Sequence, residues 1–222
     1  MSERIKSAIL FFILVFRRAS IHLLPLVILS LFIEQWLAEA IQDTLSRQSP
    51  SNLAIVTLGA VSILHSMIFP LLGTLVVVAC IQGLAPHRVL FRCFQQLFKE
   101  EMRVWGKSML WSYLLLVPGF IKYLQFSFVP FVVMMDAEYE QGLVDALATS
   151  QRRSRGLLGK LFLLFIIFSV AWPLLSSSVD EYKIFLKSPV TAFGFAVVDM
   201  TLLVIFVLCV YALYRKSDRY LV

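Results

Sequence analysis

Residues 53 to 84 contain no lysine, arginine, aspartate or glutamate. A transmembrane helix needs about 20 apolar residues, and this run exceeds that length. Further apolar runs occupy residues 19–41, 108–135, 157–175 and 190–214. Of the 222 residues 59% are hydrophobic, and the mean hydropathy is +0.84. Soluble domains are about 45–50% apolar, so a chain of this size cannot bury so much apolar surface in a water-facing globule. Lipid is the solvent for most of it.

The expected fold is all-α, a polytopic membrane helix bundle forming a single integral membrane domain over 1–222. At the N-terminus Arg4 and Lys6 precede nine apolar residues, 8–16, as in a secretory signal. Arg17 and Arg18 stand where a small-residue cleavage site belongs, and another apolar run follows at once. Nine residues at about 1.5 Å each cannot cross a core of roughly 30 Å. An uncleaved interfacial helix is therefore expected over 1–18, followed by a first span over 19–41. Residues 42–52 are polar and read as a loop. The second span, 53–84, carries Pro70, Gly59 and Gly73 and is expected to kink.

Residues 86–107 have a different character. Leu90, Phe94, Leu97, Phe98, Met102 and Trp105 recur at helical spacing, and Arg88, Arg92, Lys99 and Arg103 form a stripe opposite. The pattern predicts an amphipathic interfacial helix with its bases on lipid phosphates. The apolar run 108–135 is then broken by Pro118-Gly119 and also holds Lys122, Ser127 and Pro130. One broken helix and a hairpin of two short spans both fit this pattern. Basic residues precede the first arm (Lys99, Arg103, Lys107) and follow the second (Arg152, Arg153, Arg155, Lys160), which favours a hairpin tipped at Pro118-Gly119.

Counting that hairpin as spans 3 and 4 gives about six transmembrane helices, with both termini on one side. Sixteen of the 20 lysines and arginines fall on that side, and only Arg47, Lys183 and Lys187 on the other. The bias places both termini in the cytoplasm and the chain in a bacterial cytoplasmic membrane, beside anionic lipid headgroups. The formal net charge of +6 flanks apolar runs rather than forming one patch, so nucleic acid is not the expected partner.

No GxSxG, HExxH, P-loop or CxxC motif is present. Cys80, Cys93 and Cys209 lack ligand-like spacing, and the three histidines lie in separate segments. No catalytic residue, metal site or cofactor is expected. His65 lies deep in its span and reads as a helix-to-helix hydrogen-bonding residue. Ionisable groups within a membrane are costly and usually paired or functional, which singles out Asp199, Lys122 and Glu34. Asp199 is expected to pair with Lys122 or to line a polar cavity, with Glu34 a second partner. A cytoplasmic-side helix is predicted over 137–156. Gly142, Ala146, Ser150 and Ser154 recur on it every four residues, a small-residue stripe that lets a neighbouring helix approach closely.

Pro118-Gly119, Ser127 with Pro130, Asp136, and Ala146-Leu147 followed by Ser150 and Gly156 form a signature of about 40 residues. It resembles that of the glycerophosphoryl diester phosphodiesterase membrane-domain-like superfamily, which includes the DUF975 and YciC-like (UPF0259) six-span bacterial membrane proteins. The resemblance implies an integral membrane protein with a broken or hairpin pair preceding an ALxxS helix. It implies no catalysis, because the chemistry of that superfamily belongs to a separate soluble domain. The expected role is non-enzymatic: a structural or regulatory component, alone, as a homo-oligomer or with a membrane-protein partner. The competing expectation is a small transporter or permease subunit, with Asp199 and Lys122 lining a pathway.

Overall fold

A computed structural model describes residues 3–46, 51–179 and 188–217, with side chains from residue 9 onward. Expectations resting on Arg4, Lys6, Arg47, Lys183, Lys187 and Arg219, and on most of the two connecting loops, lie outside what is described. The protein is an all-α helix bundle, with no strand among the described residues. Among the described residues five stretches are long and apolar enough to cross a membrane: Ile9–Ser46, Asn52–Ile81, Leu116–Met135, Ala146–Ser177 and Pro189–Ser217. The chain is a membrane-embedded protein.

Two compact units divide it. One comprises Met1–Gly73 and Leu175–Leu203, the other Thr74–Leu174 and Val204–Val222. In the first, α1 (Glu3–Ser46) is a single helix. The expected interfacial segment and first span are thus continuous, because Arg17 and Arg18 are exposed and nothing between residues 8 and 19 breaks helical geometry. The helix also runs to Ser46, into the stretch expected to be a loop. α2 (Asn52–Ile81) contributes its residues up to Gly73, and α10 (Pro189–Ser217) those up to Leu203. Val15, Ala19 and Leu23 on α1 and Ala192, Ala196 and Met200 on α10 are buried at four-residue spacing, the inward stripe of a packed helix. A Cβ on Gly73 would lie 2.5 Å from Leu203 Cδ2, so glycine lets that leucine sit against the α2 backbone.

The second unit is built on α3 (Pro86–Leu114), one 29-residue helix that fuses the expected amphipathic segment with the first hairpin arm. α4 (Leu116–Gln125) and α5 (Val129–Met135) follow. The hairpin turn is not at Pro118-Gly119. It lies at Leu115, whose backbone is extended at φ −159°, ψ 133°. Proline acts upstream of itself: its ring clashes with the carbonyl four residues back, and it offers that carbonyl no amide. For Pro118 that residue is Leu114, where α3 ends. Pro118 itself falls in the first turn of α4, where an amide would find no intrahelical acceptor. Gly119 serves close approach instead. A Cβ there would sit 2.6 Å from the Ser112 nitrogen and 2.7 Å from its Cα. Because α3 absorbs residues 108–114, the first arm is not a separate helix, and the described residues hold five candidate spans where about six were expected.

Asp136 ends α5 and caps α6 (Ala137–Glu140), accepting the Glu138 amide at 3.1 Å. Gly142 then closes α6 at φ +72°. The Leu143 amide donates to Glu138 O and the Gly142 amide to Tyr139 O, both at 2.9 Å, which is the Schellman pattern for a left-handed cap. Gly142 is exposed and therefore does not belong to the packing stripe. Its spacing matched the stripe, but the chain turns before the helix begins. α7 (Ala146–Ser154) carries the other three members, Ala146, Ser150 and Ser154, all fully buried. After a short 3₁₀ turn (Arg155–Leu157) come α8 (Leu158–Phe165), a π-helical turn (Ile166–Ala171) and α9 (Trp172–Ser177).

Candidate functional site

The first unit contains a cavity of about 570 Å³ formed by facing sides of α1, α2 and α10. Ser30 and Glu34 line it from α1, Ser62, His65 and Ser66 from α2, and Asp199 from α10. On each helix the lining residues recur at three- and four-residue steps, so each contributes one face. Leu26, Val27, Phe69 and Phe195 make much of the remaining wall. Among the described residues its lining includes the carboxyl groups of Glu34 and Asp199 and no lysine or arginine.

Its polar groups are connected. Ser30 Oγ donates to Glu34 Oε1 at 3.0 Å and lies 3.2 Å from His65 Nε2. A serine hydroxyl has one proton, and Glu34 takes it, so the arrangement is completed by an Nε2–H of His65 donating to Ser30. The His65 ring packs on Phe69 at 4.4 Å between centroids. Glu34 and Asp199 are exposed, whereas Ser30 and His65 are half-buried. Carboxylates within spanning helices are offset by water, a cation or a partner, because charge is costly in lipid.

Of the polar residues singled out by sequence, Glu34, His65 and Asp199 therefore share one cavity. Lys122 belongs to the other unit, where its Nζ lies 5.6 Å from the Trp111 ring centroid. The expected Asp199–Lys122 pair joins residues of different units. Ser30, Ser62 and Ser66 were not anticipated. The one signal for Ser30 was its position four residues before Glu34, a spacing at which helical side chains meet.

The basic stripe of α3 divides. Arg88 and Lys99 are exposed. Arg92 pairs with Glu140, and Arg103 pairs with two carboxylates. Arg103 Nη1 donates to Glu100 Oε1 and Oε2 at 2.9 and 2.7 Å, and its Nη2 donates to Asp145 Oδ1 at 2.7 Å. Tyr139 OH donates to Glu100 Oε1 at 3.3 Å. Burial, and then the Glu100 carboxylate, push that phenol up to about 12. Glu100 is buried, so the inward face of α3 runs through Val89, Leu97, Glu100, Val104 and Ser108, while Met102 and Trp105 of the expected apolar face are exposed. Spacing alone could show that the helix has two faces; the carboxylates and α7 residues that meet it decide which is inward.

Around α7 the three elements expected as hairpin and stripe come together. Ser150 and Ser154 both donate to Gln125 O, at 2.8 and 3.1 Å, and the Phe128 amide donates to Ser150 Oγ at 3.2 Å. Arg153 donates to Asp136 Oδ2 at 3.3 Å and stacks 4.7 Å from the Tyr214 ring centroid. Pro130 sits in the first turn of α5. Comparison of the chain with protein-family models, curated proteins and solved structures gave no match.

Proposed function

We propose that this chain is a non-enzymatic multi-pass protein of a bacterial cytoplasmic membrane, with both termini cytoplasmic, acting as a small transporter or permease subunit. One observation carries the reading. Two carboxylates and a hydrogen-bonded histidine share a cavity of about 570 Å³ within candidate membrane spans, with no basic side chain among the described lining residues. Ligand pockets commonly measure about 300–1,000 Å³, so a small solute fits, and its charge would be positive. The orientation rests on the bias of basic residues in the sequence, and the bacterial setting on the resemblance of residues 118–156. Exposed Arg88 and Lys99 would meet anionic headgroups.

A structural or regulatory role in a membrane complex is the second reading. It is favoured by the dense hydrogen bonding of Ser150, Ser154 and Arg153 in the other unit, which suits a rigid element. Counterflow of small organic cations into proteoliposomes separates the two. Saturable exchange that Glu34→Gln and Asp199→Asn abolish, with melting temperatures unchanged, supports transport. No exchange for any cation, together with a partner co-purifying at fixed stoichiometry, overturns it in favour of the structural role.

A further inference from the structure

Glu101 stands apart from the ion-pair network that uses Glu100. One residue along a helix is a turn of about 100°, and Glu101 lines a different space, a pocket of about 150 Å³ within the second unit. Thr74, half-buried Ser127 and exposed Ser169 line it beside the apolar Phe165 and Phe206, and exposed Tyr123 is the other titratable residue among the described lining residues. Among the described residues the lining contains no lysine or arginine. No hydrogen bond or ion pair reaches the Glu101 carboxyl or the hydroxyls of Ser127 and Ser169 among the described residues. Glu101 is half-buried, and a carboxylate partly withdrawn from water without a partner is costly and is neutralised either by a proton or by a bound cation.

The surroundings suit either form. Carboxylate and hydroxyl oxygens are the donors hard cations take. At about 30 Å³ per water, the pocket holds a small ion with a few waters, and it is too small for a drug-sized organic solute. We propose that this pocket is a monovalent-cation site in which Na⁺ exchanges with the proton of Glu101, the hydroxyls of Ser127 and Ser169 completing the oxygen donor set. The exchange balances as Glu101–COOH plus Na⁺ giving Glu101–COO⁻·Na⁺ plus H⁺. Burial pushes the Glu101 carboxyl up to about 7, which puts the exchange in the physiological range. The site does not depend on the cavity of the first unit, and it stands whether or not that cavity transports.

The test is thermal unfolding of the full-length protein in detergent, titrated with NaCl against choline chloride at matched ionic strength. At about pH 8.5, Na⁺ should raise the melting temperature by a few degrees, as ligand linkage requires. Below pH 7 the apparent Na⁺ affinity should fall about tenfold per pH unit, because the proton competes for the same carboxylate. Glu101→Gln, which keeps the shape of the neutral acid, should abolish the Na⁺ response. Ser127→Ala and Ser169→Ala should each weaken it several-fold, and they carry the test if the glutamine variant does not fold. A Na⁺ response that survives in Glu101→Gln or in both serine variants overturns the proposal. So does an equal response to choline, or a pH-dependent melting temperature with no Na⁺ response.

Discussion

Ser150 and Gln125 lie on different helices, and the Ser150 hydroxyl donates to the Gln125 carbonyl at 2.8 Å while accepting the Phe128 amide at 3.2 Å. One side chain thereby serves both loose ends of the break between α4 and α5. It can do so because it is fully buried on a helix whose neighbouring positions are small. Ser154 adds a second donor to the same carbonyl at 3.1 Å.

Ser150→Ala is expected to destabilise the protein by about 1–3 kcal/mol, since it leaves the buried Phe128 amide without an acceptor. Ser154→Ala should cost less, about 0.5–1.5 kcal/mol, because Gln125 keeps Ser150 as a donor. Reversible unfolding in mixed micelles measures both. The double variant should cost more than the sum, since only there does the Gln125 carbonyl lose both donors.

Three glycines should respond differently to alanine. At Gly119 the new methyl meets Ser112 backbone at 2.6 and 2.7 Å, which a rotamer change cannot relieve. Gly119→Ala should therefore cost about 3 kcal/mol, at the upper end for overpacking. Gly73→Ala meets only the end of Leu203, a flexible side chain, and should cost about 1 kcal/mol. Gly106 has open space around it in the middle of α3, so Gly106→Ala should stabilise by about 0.5–1 kcal/mol. Melting temperatures of the three variants in one detergent provide the ranking.

Asp145 should shape the acid limb of stability. Burial alone would raise its carboxyl, but the Ala148 amide and then the Arg103 guanidinium outweigh burial and hold it below 3.8. A depressed carboxylate contributes stability that is present above its unfolded value and lost as pH falls through its folded value. The loss thus lies below pH 3.8. Asp145→Asn keeps a residue able to cap α7 and removes the charge, so its melting temperature should fall less steeply than wild type over that range.

Glu101 should act in the opposite sense. With its carboxyl raised from 4.5 to about 7, the folded state holds a proton that the unfolded chain has released. Its contribution is fully present below pH 4.5 and is lost as pH rises through about 7. In Na⁺-free buffer the wild type should lose melting temperature across this interval, and Glu101→Gln should not. Parallel pH series of the two proteins check this.

Much of the architecture was legible along the chain, because lipid imposes local demands. Residues 53–84 need no neighbour to read as a span, and Asp136 marked a helix boundary by leaving the apolar phase. Ala146, Ser150 and Ser154 announced a close-packed face by their spacing, which depends only on helical geometry. Where reading failed, the cause lay in partners distant in sequence or in effects displaced along it. Pro118 broke the helix at Leu115 because a proline disturbs the carbonyl four residues before it. Gly142 shared the four-residue spacing of the stripe but served as a left-handed cap. Glu100 and Glu101 are adjacent and chemically identical, yet one is held by Arg103 and Tyr139 while the other lines a hydroxyl-bearing pocket.

The sequence by itself determined that this protein is helical and lives in a membrane, since apolar run length and backbone hydrogen bonding in lipid leave one solution. It also marked Glu34, His65 and Asp199 as unusual for their depth. Only the tertiary structure decided that these three line one cavity, and that Glu101 shares another with Ser127 and Ser169. The physical reason is that the cost of a charge depends on what surrounds it. Those surroundings come from helices far apart in the chain, which no local pattern records.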